Sequence, residues 1–367
     1  MLRKFYVNGF RCLENLGIEL DGGSSLLIGA NGAGKSTVTK ALAILQKTAR
    51  GTNRVAELVK PSDFPRGNAD VPMRFELDVE LEGRRFRYVL AFELPKGFRE
   101  LRVLEEVVSC DGETRYTRQH GTVAVTSGKG QGSFNLDWHV VALPVVQATD
   151  ESDPVAVLRR WLSRMMILAP MPSRITGVST TTSLEPERGV ENLGDWFTGL
   201  VTTEPAAYAH FTAYLSEVFH DFKAVQNPSI GGDAREIRVQ FQTNGALLTL
   251  PLGALSDGEK CFFIAATALA AGAVYGPVLC VWDEADAHLG LTEVARFTLG
   301  LRRAASSGIQ LVMTSHNPEA IRMFSDESTW LLHRASHLEP TRVSRLADVQ
   351  GRSGDIIGDL VRGDLLP

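Results

Sequence analysis

Cysteine is scarce in this sequence and never closely spaced. The four cysteines, Cys12, Cys110, Cys261 and Cys280, lie far apart and form no C-x-x-C pair. That disfavours a zinc site and a disulfide framework, and it fits a reducing cytoplasm. The opening stretch, MLRKFYVNGFRCLENL, lacks the long apolar core of a signal peptide. There are no internal repeats, and no heptad run is long enough for a coiled coil. Neither sign of charge dominates: 38 Lys and Arg against 43 Asp and Glu leave a net charge of −5. Such a balance excludes a uniformly basic nucleic-acid binder, although local basic patches are still compatible with it. One long uncharged run, the 22 residues Cys261 to Trp282, has the length of a bilayer span. Gly276-Pro277 breaks it, and proline is disfavoured inside a helix. It therefore reads as a buried Ala-rich helix, Cys261 to Val274, followed by a buried strand, Val278 to Trp282.

What is present is the composition of an ordinary folded protein, 44% apolar and 22% charged over 367 residues. Within it, residues 29 to 36 read Gly29-Ala30-Asn31-Gly32-Ala33-Gly34-Lys35-Ser36, followed by Thr37. This is a Gly-x-x-x-x-Gly-Lys-Ser phosphate loop. An apolar strand, Ser25 to Ile28, feeds it, and a helix, Val38 to Ala49, leaves it. At such a junction several backbone N–H groups converge on one spot, and the helix N-terminus adds partial positive charge. Lys35 is the residue type that reaches β- and γ-phosphates, and the Ser36 hydroxyl is a Mg²⁺ ligand.

Around the loop the pattern reads as α/β. Residues 2 to 28 read as strands. A polar loop, Gly51 to Asp70, precedes an alternating hairpin over Val71 to Leu94 that turns at Glu82-Gly83-Arg84. Leu101 to Cys110 and Thr122 to Thr126 extend the β region. Asp153 and Pro154 start a helix over Val155 to Met165. Pro170 to Gly189, rich in Pro, Ser and Thr, reads as an exposed mobile loop. Two helices, Leu193 to Val201 and Pro205 to Phe222, and a hairpin around Thr243-Asn244-Gly245 follow. The expected organisation is one head with three segments: 1–150, a nucleotide-binding lobe with an antiparallel β subdomain; 151–250, a helical lobe; and 251–367, the rest of the core.

Three further motifs follow the loop in order. Leu255 to Lys260 reads LSDGEK, in which Ser256 and Glu259 form a helix-starting capping box and Gly258 leaves the backbone bare. Such a start caps a helix, and it can also hold phosphate. Val278 to Glu284 reads VLCVWDE, an apolar strand ending in two acids. Asp283 suits Mg²⁺, and Glu284 suits the attacking water. Gln310 to His316 is a second apolar strand, ending in Thr-Ser-His; His316 suits a γ-phosphate or the water. His288 is a weaker candidate, for a dimer contact or a helix cap.

Together the four motifs resemble those of the ATP-binding-cassette ATPases: Walker A, signature, Walker B and H-loop. Within that superfamily they resemble the chromosome-maintenance and RecF-like branch, with FYVNGFRCLENLGIEL similar to its opening strand. Compact stand-alone OLD-like and phage-defence ATPases look nearest. The resemblance covers residues 1–50 and 250–335, and no motif covers 95–250. It implies a P-loop ABC-type ATPase head with an antiparallel β subdomain and a helical lobe. It further implies that ATP and Mg²⁺ are bound, with Lys35, Glu284 and His316 catalytic and Ser36 and Asp283 on the metal. Gly29 to Thr37 would hold the nucleotide, and Ser256, Gly258 and Glu259 would seal a partner's. One copy of each motif then implies a homodimer that ATP closes.

The implied role is hydrolysis coupled to DNA maintenance, repair or phage defence. DNA and an effector protein, a nuclease or toxin, are candidate partners, and no membrane is expected. The alternatives are an ATP-sensing subunit controlling a separate toxin or nuclease, and a transporter motor, which the signature and opening strand disfavour. Departures from the pattern are an unplaced Q-loop glutamine, for which Gln147 is a guess, and the absence of coiled-coil arms. About 35 residues follow the expected last strand, Trp330 to Leu332, fewer than a nuclease domain needs. The local signs of nucleic-acid binding are Arg84-Arg85-Arg87 and Arg159-Arg160-Arg164, and Arg11 is an isolated candidate for nucleotide or DNA.

Overall fold

The computed structural model describes residues 1–127, 130–305, 308–349 and 358. Two compact units divide the chain. One comprises Met1–Gly22, Leu27–Met165 and Asp326–Pro367, the other Gly23–Leu26 and Met166–Ser325.

The first unit begins with β1 (Leu2–Asn8), β2 (Leu16–Glu19), the end of β3 (Ser24–Ile28), α1 (Lys35–Ala49) and the single turn α2 (Val55–Leu58). Six consecutive strands follow: β4 (Met73–Leu81), β5 (Arg84–Glu93), β6 (Arg102–Cys110), β7 (Glu113–Gln119), β8 (Thr122–Ser127) and β9 (Gly130–Asn135). All but β3 join one antiparallel sheet in the order β2-β1-β4-β5-β6-β7-β8-β9. The period-two pattern explains the pairing. Met73, Phe75, Leu77, Val79 and Leu81 are all buried on one face, and Leu81 pairs with Arg84, so the turn is Glu82-Gly83 and Arg84, expected in the turn, opens β5. Strands β7 and β9 are too polar for the sequence to announce. The expected polar loop 51–70 is also partly core, because Val55, Val59 and Phe64 are buried. Helix α3 (Pro154–Ser163) starts as expected: the Asp153 carboxylate accepts from the Val155 N–H at 2.8 Å.

A buried acid fastens the segment after β9 to this sheet. Glu106 on β6 has no exposed surface. It accepts from Tyr88 at 3.0 Å, Tyr116 at 2.7 Å, the Leu143 N–H at 2.8 Å and the Ala142 N–H at 2.6 Å. Arg118 beside it donates to the carbonyls of His120 at 2.7 Å and Asp137 at 2.8 Å, and also to that of Val140. Burial pushes the Glu106 carboxyl up against these hydrogen bonds, and it pushes both phenols well above the usual range.

The second unit contains the short strands β10 (Met166–Leu168) and β11 (Val178–Ser179), then α4 (Leu193–Thr203) and α5 (Ala207–Val218). Strands β12 (Phe222–Gln226), β13 (Ser229–Gly231), β14 (Ala234–Glu236), β15 (Arg238–Thr243) and β16 (Ala246–Pro251) follow. They form two small sheets, β11-β14-β13 and β12-β15-β16, the latter built on the expected hairpin. Next come α6 (Asp257–Tyr275), β17 (Val278–Trp282), α7 (Leu291–Ala305), β18 (Ile309–Thr314) and α8 (Pro318–Arg322). Strands β10, β17 and β18 pair in parallel, and every residue of the three is buried. That is why they read as unbroken apolar runs. Helix α6 is apolar on all sides because it is buried, and no described helix is long and apolar enough to cross a membrane.

Two loop expectations need correction. Pro170 to Gly189 is not simply an exposed loop. Pro172, Ile175 and Ser179 are buried, and β11 pairs with β14. Trp330 to Leu332 is not the last strand either. In the first unit β19 (Thr329–His333) pairs antiparallel with β20 (Arg342–Arg345). Residues 350–357 and 359–367 of the segment 251–367 lie outside the described residues.

Candidate functional site

In the first unit the phosphate loop is shaped by glycines and locked from the far end of the chain. Gly29, Gly32 and Gly34 have φ of 146°, 81° and 111°, backbone that L side chains rarely adopt. A Cβ on Gly29 would lie 2.1 Å from the Leu332 carbonyl oxygen, and one on Gly34 would lie 2.7 Å from the Thr341 hydroxyl oxygen. Thr341 donates that hydroxyl to the Ala33 carbonyl at 2.8 Å, and its own N–H goes to the Cys12 carbonyl at 2.8 Å. Lys35 is buried. Its ammonium donates to the loop's own carbonyls, Gly29 at 2.8 Å and Ala30 at 3.2 Å. Ser36 and Thr37 occupy the first turn of α1. That turn carries no acidic residue and leaves its N-terminal field open to an anion.

In the second unit the acids and the histidine come together at the carboxyl ends of parallel strands. Asp283 follows β17 and is 7% exposed. Its Oδ1 accepts from the Thr314 hydroxyl at 2.9 Å, and its Oδ2 lies 3.0 Å from Arg188 Nη2. The Thr314 oxygen also accepts from the Glu284 N–H at 2.7 Å, so one hydroxyl ties both acids to β18. Glu284 is held at φ 53°, a strained conformation for a non-glycine residue of the kind found at functional positions. Its carboxylate projects outward, with Oε1 4.0 Å from His316 Nε2. Burial pushes the neighbouring Asp286 carboxyl up, and a hydrogen bond from Ser315 opposes the shift.

The signature residues lie at the start of α6. Ser256 Oγ accepts from the Glu259 N–H at 3.3 Å and donates to Glu259 Oε2 at 2.7 Å. The same carboxylate accepts from the Ser256 N–H at 2.8 Å. The capping box is therefore real, and it occupies the serine hydroxyl. A Cβ on Gly258 would lie 3.1 Å from the His288 carbonyl oxygen, which brings the signature turn beside the turn after Glu284. The His288 side chain itself is exposed.

The remaining candidates are more ordinary. Gln147 is exposed in the loop before α3. Arg11 is ion-paired to Asp63 at 2.9 Å. Three arginines of the clusters face carboxylates: Arg84 with Glu82 at 3.3 Å, Arg87 with Glu76 at 2.5 Å, and Arg160 with Glu151 at 2.7 Å. All four cysteines are free and buried, and burial pushes the Cys261 and Cys280 thiols up to about 12. Among the described residues no cluster of three or more His, Cys, Asp and Glu could hold a metal by itself. Sequence reasoning missed Thr341 and Arg188. Nothing in their local patterns marks them, because their partners are remote in the chain.

Residues 1–96 match a family described as the AAA ATPase domain. The SmcHead bound to the C-winged helix domain of ScpA superposes with a TM-score of 0.57 at 14% identity, covering 94% of this chain and 98% of that one. An Smc head domain with an extended coiled coil, bound to the C-terminal domain of ScpA derived from Pyrococcus furiosus, gives 0.54 at 12% identity over 98% and 99%. The chain has the fold of an SMC-type ATPase head. An SMC head domain from Thermotoga maritima also aligns, at 15% identity over 94% and 98% with a TM-score of 0.49. No curated protein matches the sequence. This head therefore carries the P-loop α/β core with an antiparallel sheet that its motifs implied. Its middle, which no motif covers, lies within the aligned span.

Proposed function

We propose that this SMC-type head binds ATP with Mg²⁺ and hydrolyses it in the cytoplasm, as a homodimer that ATP closes. The observation that carries the reading is the phosphate loop: three left-handed glycines, a buried Lys35 and a bare helix N-terminus form a polyphosphate cradle. In this reading Gly29 to Thr37 hold the phosphates, and Lys35 exchanges its loop carbonyls for β- and γ-phosphate oxygens. Glu284 orients the attacking water, and His316 steadies it or the γ-phosphate. Ser256, Gly258 and Glu259 seal the nucleotide of a second copy. The donor set fits Mg²⁺, because the buried Asp283 carboxylate already faces a cation, Arg188. Ser36 and Asp283 would hold the ion, which supplies charge neutralisation on the phosphates when bound.

Two roles share this chemistry: DNA maintenance or phage defence through DNA, and control of a separate toxin or nuclease. The pairing of Arg84, Arg87 and Arg160 with carboxylates favours the protein partner, since cations matched by acids release fewer counterions on DNA. ATP turnover with and without single- and double-stranded DNA tests both roles. Lys35→Ala is expected to lower nucleotide affinity by about a hundredfold or more. Glu284→Gln is expected to bind ATP, turn over slowly and accumulate dimer. Wild-type nucleotide affinity in Lys35→Ala would refute the phosphate-loop reading, and DNA-stimulated turnover would favour the DNA role.

A further inference from the structure

Arg188 reaches Asp283 by backbone pairing. The Arg188 and Gly189 carbonyls accept from the Ala169 and Met171 N–H groups at 2.7 and 2.9 Å, just beyond β10. The Asp283 N–H in turn donates to the Leu168 carbonyl at 2.7 Å. The strap carrying Arg188 is also fixed at Pro172, whose carbonyl accepts from the buried Lys260 ammonium at 3.2 Å. Its backbone is therefore held in place, while the ion pair to Asp283 is made by a long side chain that crosses to it from the strap. The two partners differ in surroundings: the Asp283 side chain is 7% exposed, that of Arg188 41%. A carboxylate so buried cannot be left without a cation cheaply. The guanidinium, half in water already, loses little by leaving.

We propose that Arg188 is the resting counter-ion of Asp283. It neutralises the carboxylate until a divalent cation binds with nucleotide, and it thereby sets how much divalent cation the chain needs. The inference rests on the reading above that Asp283 serves the metal. The exchange is cation for cation, so Asp283 is never buried alone. Because Arg188 must be displaced, it competes with the metal, and its removal lowers the concentration needed. A merely structural arginine would leave that concentration unchanged.

The test uses the full chain with a saturating non-hydrolysable ATP analogue and Mn²⁺ as the probe, free Mn²⁺ being read by electron paramagnetic resonance. For Arg188→Ala the half-saturating Mn²⁺ concentration is expected to fall about three- to tenfold, or about 0.7 to 1.4 kcal/mol. Arg188→Lys, which keeps a cation, is expected to lie between that variant and the wild type. Asp283→Asn is expected to lose the Mn²⁺ response. Circular dichroism checks that Arg188→Ala melts with the wild type, as its half-exposed position predicts. An unchanged or raised requirement in folded Arg188→Ala, with wild-type binding intact, overturns the counter-ion role alone. A wild type that binds no Mn²⁺, or an Asp283→Asn variant that binds it normally, overturns the metal reading and this inference together.

Discussion

Glu106 in the antiparallel sheet of the first unit and Asp283 at a strand end of the second are both almost wholly shut off from water. They are satisfied in opposite ways. Glu106 accepts from two phenols and two backbone N–H groups, all buried and none able to leave without breaking the sheet or the chain segment it holds. Asp283 accepts from a threonine hydroxyl and faces an arginine that is itself half in water. The first arrangement is closed, and the acid serves as a structural rivet. The second has a partner that water already reaches, as the proposed ion-binding role of Asp283 requires. Burial alone does not separate the two acids, whereas the exposure of the groups that answer the charge does.

The largest expected effect is at the closed site. Glu106→Ala strands four donors in a water-free interior and is expected to cost about 3 kcal/mol or more. Urea unfolding measures it, and a loss below about 1 kcal/mol would remove the rivet from the comparison. The same site predicts a pH dependence. Burial, and next the Glu106 charge, hold the Tyr88 and Tyr116 phenols well above the usual range. Near pH 10 the unfolded chain therefore releases protons that the folded chain keeps. The unfolded state binds fewer protons there, so stability falls as pH rises through about 10. Tyr116→Phe should flatten that fall, even though it removes one donor.

Thr341 provides an intermediate case. It closes the back of the phosphate loop through one hydroxyl, as backbone groups close Glu106, yet the loop's front must stay open to ligand. Thr341→Val keeps the volume and leaves the Ala33 carbonyl without that donor, an expected cost of about 1 to 2 kcal/mol. If the loop's shape depends on this lock, nucleotide affinity falls along with stability. Isothermal titration with ATP separates that outcome from a stability loss alone.

How much of this was readable in advance follows from where each partner sits in the chain. The caps at Asp153 and Ser256 were legible because donor and acceptor are two or three residues apart. The hairpin at Glu82-Gly83 was legible because alternation and turn chemistry agree locally. The apolar runs of β17 and β18 marked two strands, and their parallel pairing came only with the fold. The bonds that set the sites apart are of another kind. Glu106 meets the Ala142 N–H 36 residues away, Arg188 meets Asp283 across 95, and Thr341 meets Ala33 across 308. No periodicity or spacing encodes such pairs, because only the completed fold brings them within reach. Polar strands such as β7 and β9 were missed for a related reason: an existing edge recruits them through backbone pairing, with little apolar pattern of their own.

The smallest expected effect tests whether a closed arrangement can reopen. In the resting chain Ser256 is engaged on both sides by Glu259, a saturated cap that resembles the Glu106 case on a smaller scale. Ser256→Ala should cost only about 1 kcal/mol, the usual value of a lost N-cap. Unlike Glu106, however, Ser256 stands at the exposed start of its helix, where its hydroxyl can turn from Glu259 to a phosphate without breaking packed structure. Ser256→Arg, combined with Glu284→Gln, should therefore bind ATP as a monomer with unaltered affinity and fail to dimerise. Light scattering with ATP present decides the matter. A normal dimer would mean that Ser256 is a cap and nothing more, and the signature turn would then belong with Glu106 on the closed side of the comparison.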